Sequence, residues 1–161
     1  MLTGATASVP WACRSLRDNA RMSRQNVEIV QRFYEAFSRS GRPELDLLDP
    51  EIVWYQPDEI GGGKGSYHGH EGVLSAVGEM QATFHDFEAV PEEFIEAGGD
   101  RVLVLARHGG VGRGSGARVD APVAHVFTLR DGKVIEWRAY LDRAEGLEAV
   151  GLSDLDAHAD V

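Results

Sequence analysis

The sequence holds a single cysteine, Cys13, in 161 residues. No intrachain disulfide can form, and a four-cysteine zinc site is excluded; this fits a reducing cytoplasm. Cationic residues are also scarce, with 16 Lys and Arg against 26 Asp and Glu and a formal net charge of −10. Phosphate-bearing surfaces would be repelled over the whole molecule, so neither nucleic acid nor an anionic membrane is expected as a partner. No apolar run is long enough to span a bilayer. The first basic residue is Arg14, too late for the charged start of a secretory signal, and a cytoplasmic location is expected. Residues 1–21 show no periodic apolar pattern and are expected to be a disordered tail or an upstream-start extension. Residues 22–152 read as one domain, with 153–161 as a C-terminal tail.

What is present has an α+β order. Ser23 is placed to cap a helix in which Val27, Val30, Phe33, Tyr34 and Phe37 recur at helical spacing before Gly41 and Pro43 stop it. A short helical turn at Glu44 to Leu48 leads into a strand over Ile52 to Gln56, ended by Pro57. A glycine-rich loop follows. Val73, Leu74, Val77 and Met80 mark a second helix over about Glu71 to Phe84. Strands then accumulate at Phe87 to Ala97, Arg101 to Val111, Ala117 to Leu129 and Lys133 to Leu141, separated by turn signals at Gly98-Gly-Asp100, Gly112 to Gly116 and Asp131-Gly132. A last helical turn spans Arg143 to Ala149. Helices followed by successive antiparallel strands make an α+β fold in which the helices cover one face of the sheet.

Tyr67-His-Gly-His-Glu-Gly72, the glycine-rich hairpin before Ala121-Pro122, and the stretch HVFTLRDGKVIEWRAYLDRAEGLEAVGL resemble the SnoaL-like proteins of the nuclear transport factor 2-like (NTF2-like, ketosteroid isomerase-like) superfamily. The resemblance spans about residues 23–152. It implies a strongly curved antiparallel sheet wrapped around N-terminal helices, a cone-shaped α+β barrel also described as cystatin-like. It further implies an apolar pocket in the concave face and a homodimer through the convex face. Alternation along the last hairpin, paired symmetrically about Asp131-Gly132, places Ile135, Trp137, Ala139 and Leu141 on the concave face with Thr128, Val126 and Ala124. His125, Phe127, Leu129, Glu136, Arg138 and Tyr140 then fall on the convex face, where Phe127 and Leu129 are expected to form the dimer contact.

Enzymes of that superfamily offer positions to check. The carboxylate base, helix tyrosine and protonated acid of ketosteroid isomerases correspond to Gln56, Phe33 and Ala124, none of which can do that work. Tyr34 is about 100° around the helix from Phe33 and reads as a poor substitute. The Arg-x-Asp and final aspartate of limonene epoxide hydrolases correspond to Ala106, His108 and Ala139. His108 remains. Symmetric pairing about Gly114 sets it opposite Asp120, and a carboxylate holding an imidazole is a sound general-base arrangement.

Other features carry less. His68-Gly-His70-Glu71 has metal-like spacing but lies in a loop with no third ligand fixed nearby, so it reads as solvated. Lys64 is followed by Gly65, which breaks the phosphate-loop pattern, and Gly112 to Gly116 reads as a hairpin turn. No metal or cofactor is expected. The reading that results is a protein binding a small, mostly apolar molecule in a pocket of Phe33, Phe37, Trp54, Gln56, His108, Val126, Trp137 and Ala139. The alternative is an isomerase, dehydratase or cyclase in which His108 and Asp120 move a proton on a carbonyl compound. A close contact of that pair inside a cavity favours the enzyme, and two separated, exposed side chains favour the binder.

Overall fold

A computed structural model describes residues 16–57, 59 and 65–152. Of the expected tails at 1–21 and 153–161, residues 1–15 and 153–161 lie outside the described residues, as does most of the glycine-rich loop, whereas residues 16–21 are helical. The elements run α1 (Leu16–Ser40), a 3-10 turn (Leu45–Leu47), β1 (Leu48–Tyr55), β2 (Ser66–His68), α2 (Gly69–Thr83), β3 (Phe84–Ala97), β4 (Arg101–Gly112), β5 (Arg118–Arg130), β6 (Lys133–Tyr140) and α3 (Arg143–Ala149). The first helix therefore begins at Leu16, and Ser23 lies about two turns inside it rather than capping it. None of the described helices is long and apolar enough to cross a membrane.

Six strands form one sheet in the order β2-β1-β6-β5-β4-β3. All neighbours pair antiparallel except β1 and β6, which run parallel. The inner face is covered by α1 and α2. Val30, Phe33, Tyr34 and Phe37, one apolar stripe of α1, are buried there with Val73, Ala76, Val77 and Met80 of α2. The sheet contributes Val102, Val104, Val123, Phe127, Val134 and Trp137 to the same core.

The outer face is not bare. The short α3 lies on it and forms a second core from Leu147 with Ala97, Leu103, Ala124, Val126 and Val150. The chain turns onto that face because Asp142 caps α3, accepting a hydrogen bond from the Ala144 amide at 2.9 Å. Arg143 then reaches back over the strands. It donates to the carbonyl oxygens of Ala106 at 2.7 Å and Val123 at 3.3 Å, and to the Glu92 carboxylate at 2.5 Å.

Two registers differ from the symmetric pairing expected from the turns, each by one residue. The Asp131-Gly132 turn forms as expected, with both residues at positive φ and Arg130 opposite Lys133. One pair further on, Leu129 faces Val134, but Thr128 faces Glu136, so Ile135 is an extra residue in β6. This β-bulge sets Phe127 opposite Trp137 and His125 opposite Ala139. His125, Phe127 and Leu129 are thereby interior, and Val126 and Ala124 go to the outer core. Phe127 (0% exposed) and Leu129 (4% exposed) are unavailable as a dimer contact. At the β4–β5 hairpin the turn takes an even number of residues between Gly112 and Ala117, not an odd number centred on Gly114. His108 consequently pairs with Ala121, and Asp120 pairs with Gly109.

Candidate functional site

The interior holds an unusual concentration of rings. Trp54 and Trp137 are Cα partners on the parallel strands β1 and β6, and this register stacks their indoles with centroids 3.9 Å apart. Phe33 packs edge-on against Phe127 at 5.2 Å and against Tyr34 at 5.5 Å. Adjacent residues on a helix point about 100° apart, yet both reach the interior because the sheet wraps far enough to meet them. Tyr34 is therefore an inner-face residue, as its place in the apolar stripe of α1 predicts.

Between these rings lies a cavity with a free volume of about 20 Å³, walled by Phe33, Tyr34, Phe37, Trp54, Met80, Phe87 and Ala89, with His108, His125 and Trp137. That is room for one water-sized group. Five of the eight sequence-expected pocket residues line it: Phe33, Phe37, Trp54, His108 and Trp137. Gln56 and Ala139 are buried beside the same core but are not part of the wall, and Val126 lies across the sheet under α3.

Asp120 does not join His108. Its carboxylate accepts a hydrogen bond from Arg107 Nε at 2.9 Å on the outer face, and its side chain is 68% exposed. The partner of His108 is instead another imidazole. His108 Nε2 lies 3.0 Å from His125 Nε2, and His125 Nδ1 lies 2.6 Å from the Tyr34 hydroxyl. Strand alternation explains the meeting: His125 follows Val123 inward on β5, and His108 follows Ala106 inward on the neighbouring β4. Burial pushes the His108 pKa down to about 4. Burial, and then the nearness of His108, pushes His125 well below the usual histidine range. Burial also holds the Tyr34 hydroxyl well above its usual value. All three groups are thus neutral at pH 7.

A neutral chain of this kind has two consistent proton arrangements. In one, the Tyr34 O–H donates to His125 Nδ1, His125 Nε2–H donates to His108 Nε2, and His108 carries its proton on Nδ1. In the other, His108 Nε2–H donates to His125 Nε2, His125 Nδ1–H donates to the Tyr34 oxygen, and His108 Nδ1 is a bare acceptor. His108 Nδ1 has no hydrogen-bond partner among the described residues. The chain therefore lets one nitrogen act as either donor or acceptor.

Two polar side-chain atoms are buried without partners among the described residues, Trp137 Nε1 and Gln56 Nε2. Gln56 is oriented by Trp54, whose Nε1–H donates to Gln56 Oε1 at 3.1 Å, leaving the amide nitrogen over. Elsewhere, His70 Nε2–H donates to the Leu48 carbonyl at 2.9 Å and His68 is exposed at the start of α2. Among the described residues no group of three His, Cys, Asp or Glu could hold a metal ion.

The sequence places His125 on the convex face and makes Tyr34 a poor substitute for Phe33, so neither is expected at the site. The signal for His125 lay in Val134 and Trp137, two strongly apolar residues three apart in a strand, a spacing that alternation cannot bury on one face without a bulge.

The model of the SnoaL-like domain family matches residues 30–137. No curated protein matches the chain. Among solved structures, an NTF2-like protein of unknown function from Burkholderia pseudomallei is 26% identical, with 79% of this chain and 98% of that one covered and a TM-score of 0.62. Bal32a, from a soil-derived mobile gene cassette, is 26% identical, with 74% and 90% covered and a TM-score of 0.66. A candidate SnoaL-like polyketide cyclase from Jannaschia sp. is 28% identical, with 78% and 91% covered and a TM-score of 0.60.

Proposed function

The chain belongs to the SnoaL-like domain family, and from that premise we propose that it binds a small, mostly apolar molecule carrying an oxygen acceptor on the inner face of the sheet. The supporting observation is Trp137. Its ring is 3% exposed and walls the cavity, and its N–H has no partner among the described residues. A buried donor left unsatisfied costs about 1–3 kcal/mol, which a ligand oxygen would recover while its apolar body meets the surrounding rings. Carbonyl compounds of the polyketide kind are one class with that combination. Native mass spectrometry against a panel of paired ketones and hydrocarbons of equal size tests this. The ketones should bind more tightly, and Trp137→Phe should weaken them about tenfold while leaving the hydrocarbons unchanged. Equal binding of both members of each pair would end the proposal.

The Tyr34–His125–His108 chain supports a second reading, proton transfer on such a carbonyl compound. A proton removed from carbon next to the carbonyl would pass to His108 Nδ1. The electron pair would move to the oxygen, where the Trp137 N–H is the available donor. The base itself is weak, because burial keeps His108 at about 4. Deuterium uptake at that carbon, followed by NMR, tests the reading. Uptake should be lost in His108→Gln with ketone binding retained; uptake that persists in His108→Gln removes His108 as the base.

A further inference from the structure

A cavity of about 20 Å³ is far below the roughly 300–1,000 Å³ of ordinary ligand pockets. Immediately outside it lies a surface groove of about 280 Å³. Three residues, Phe37, Phe87 and Ala89, belong to the walls of both. Two of these are poor candidates for movement. Phe37 is held on α1, and Ala89 carries only a methyl group, which no side-chain rotation can displace. Phe87 differs. It is half-buried, and its ring stands edge-on to His108 at 5.1 Å and to Phe37 at 6.3 Å.

The backbone beneath Phe87 is equally distinctive. His85 pairs with Val111 and Glu88 pairs with Gly109, so Asp86 and Phe87 together oppose Gly110 in a second β-bulge. Asp86 takes a left-handed φ of 53°, a conformation that a non-glycine residue adopts at some cost. Gly110, at φ 156°, is what lets the bulge close: a Cβ there would stand 3.3 Å from Phe87 Cα and 3.2 Å from the His85 carbonyl oxygen. Phe87 is thus carried on a segment outside the regular ladder, and its side chain is aimed by a bulge rather than by strand alternation.

We propose that Phe87 is a movable partition, and that its displacement joins the inner cavity to the outer groove as one site for an elongated, uncharged apolar molecule whose oxygen end lies innermost. This rests on the binding function proposed above and adds the ligand's shape and its route. Joined, the two spaces reach the lower end of the pocket range. Asp86 and Glu88 flank the outer part, so an anionic outer end is disfavoured by like charge. In the closed position the ring covers His108; in the open one His108 meets the ligand.

The test uses the full chain in a Trp11→Phe background, so that fluorescence reports only Trp54 and Trp137. Acrylamide quenching should rise several-fold in Phe87→Ala and by an intermediate amount in Phe87→Leu, with both variants checked for folding by thermal unfolding. Stopped-flow binding of the neutral naphthyl ketone dye prodan should saturate with dye concentration in the parent, because opening limits entry, and become faster and linear in Phe87→Ala. Quenching and binding rates that are the same in parent, Phe87→Leu and Phe87→Ala would overturn the partition while leaving the binding function standing. A protein that shows the quenching increase but binds no ketone in any variant would keep the partition and overturn the binding function it was proposed to serve.

Discussion

The two faces of the sheet are built on opposite principles. On the outer face, α3 packs so closely that a Cβ on Gly146 would stand 2.5 Å from Ala124 Cβ. The core there is small and mainly aliphatic, with Tyr140 at its margin. On the inner face, large rings meet imperfectly, and two imidazoles, a phenol and two unpartnered donors are buried among them. Close packing with aliphatic groups stabilises; loose packing around polar groups costs stability and leaves a space that can respond to something else. The outer core fastens the sheet, and the inner one holds the buried polar groups.

Four changes probe this contrast, in descending order of effect. Phe127→Ala should cost about 3–5 kcal/mol in urea unfolding, because Phe127 is fully buried among inner-face rings. A loss under about 1 kcal/mol would be the result for a residue on the outside of the sheet. Second, stability should fall as pH drops from about 6.5 toward 4. In that window the unfolded chain takes up protons that His108, held near 4, refuses, at a cost that reaches about 3 kcal/mol by pH 4. His125 is shifted in the same direction and adds to the loss. His108→Gln should flatten the slope in urea melts across that range, and an unchanged slope would show that the pair is not the cause. Third, Gly146→Ala should cost about 1–3 kcal/mol through overpacking against Ala124, with no change at the inner cavity as read by acrylamide quenching. Last, Asp120→Asn should shift stability by less than about 1 kcal/mol, the range of exposed ion pairs, since its partner Arg107 is on the outer surface.

Most of the fold was legible because period and turn chemistry are local. The helical stripe from Val30 to Phe37, the Asp131-Gly132 hairpin and the short C-terminal helix all form where the pattern placed them. The parallel partnership of β1 with β6 was not legible, because nothing local records which distant strand is a neighbour. The site was legible only in part, and both failures were single-residue slips. Loop parity at Gly112 to Ala117 moved Asp120 away from His108. The bulge at Ile135 exchanged the faces of β5, bringing in His125 and sending out Val126. Side chains alternate with a period of two, so a slip of one residue leaves the element intact and reverses every side chain on it. A strand can be read correctly while its contribution to a site is read inside out.

The parallel pairing of β1 with β6 also bears on the order in which the molecule is made. β3, β4, β5 and β6 follow one another through hairpin turns, so their contacts are close in sequence and can form early. β1 must wait for a partner more than eighty residues downstream, as Trp54 waits for Trp137. Until β6 has left the ribosome, β1 lacks one of its two strand neighbours and Trp54 lacks the indole it stacks on. The inner cavity, walled in part by Trp137 of β6, is complete only once β6 is in place. Synthesis slowed between β1 and β6 would lengthen the time during which Phe33, Tyr34 and Trp54 are exposed to other chains.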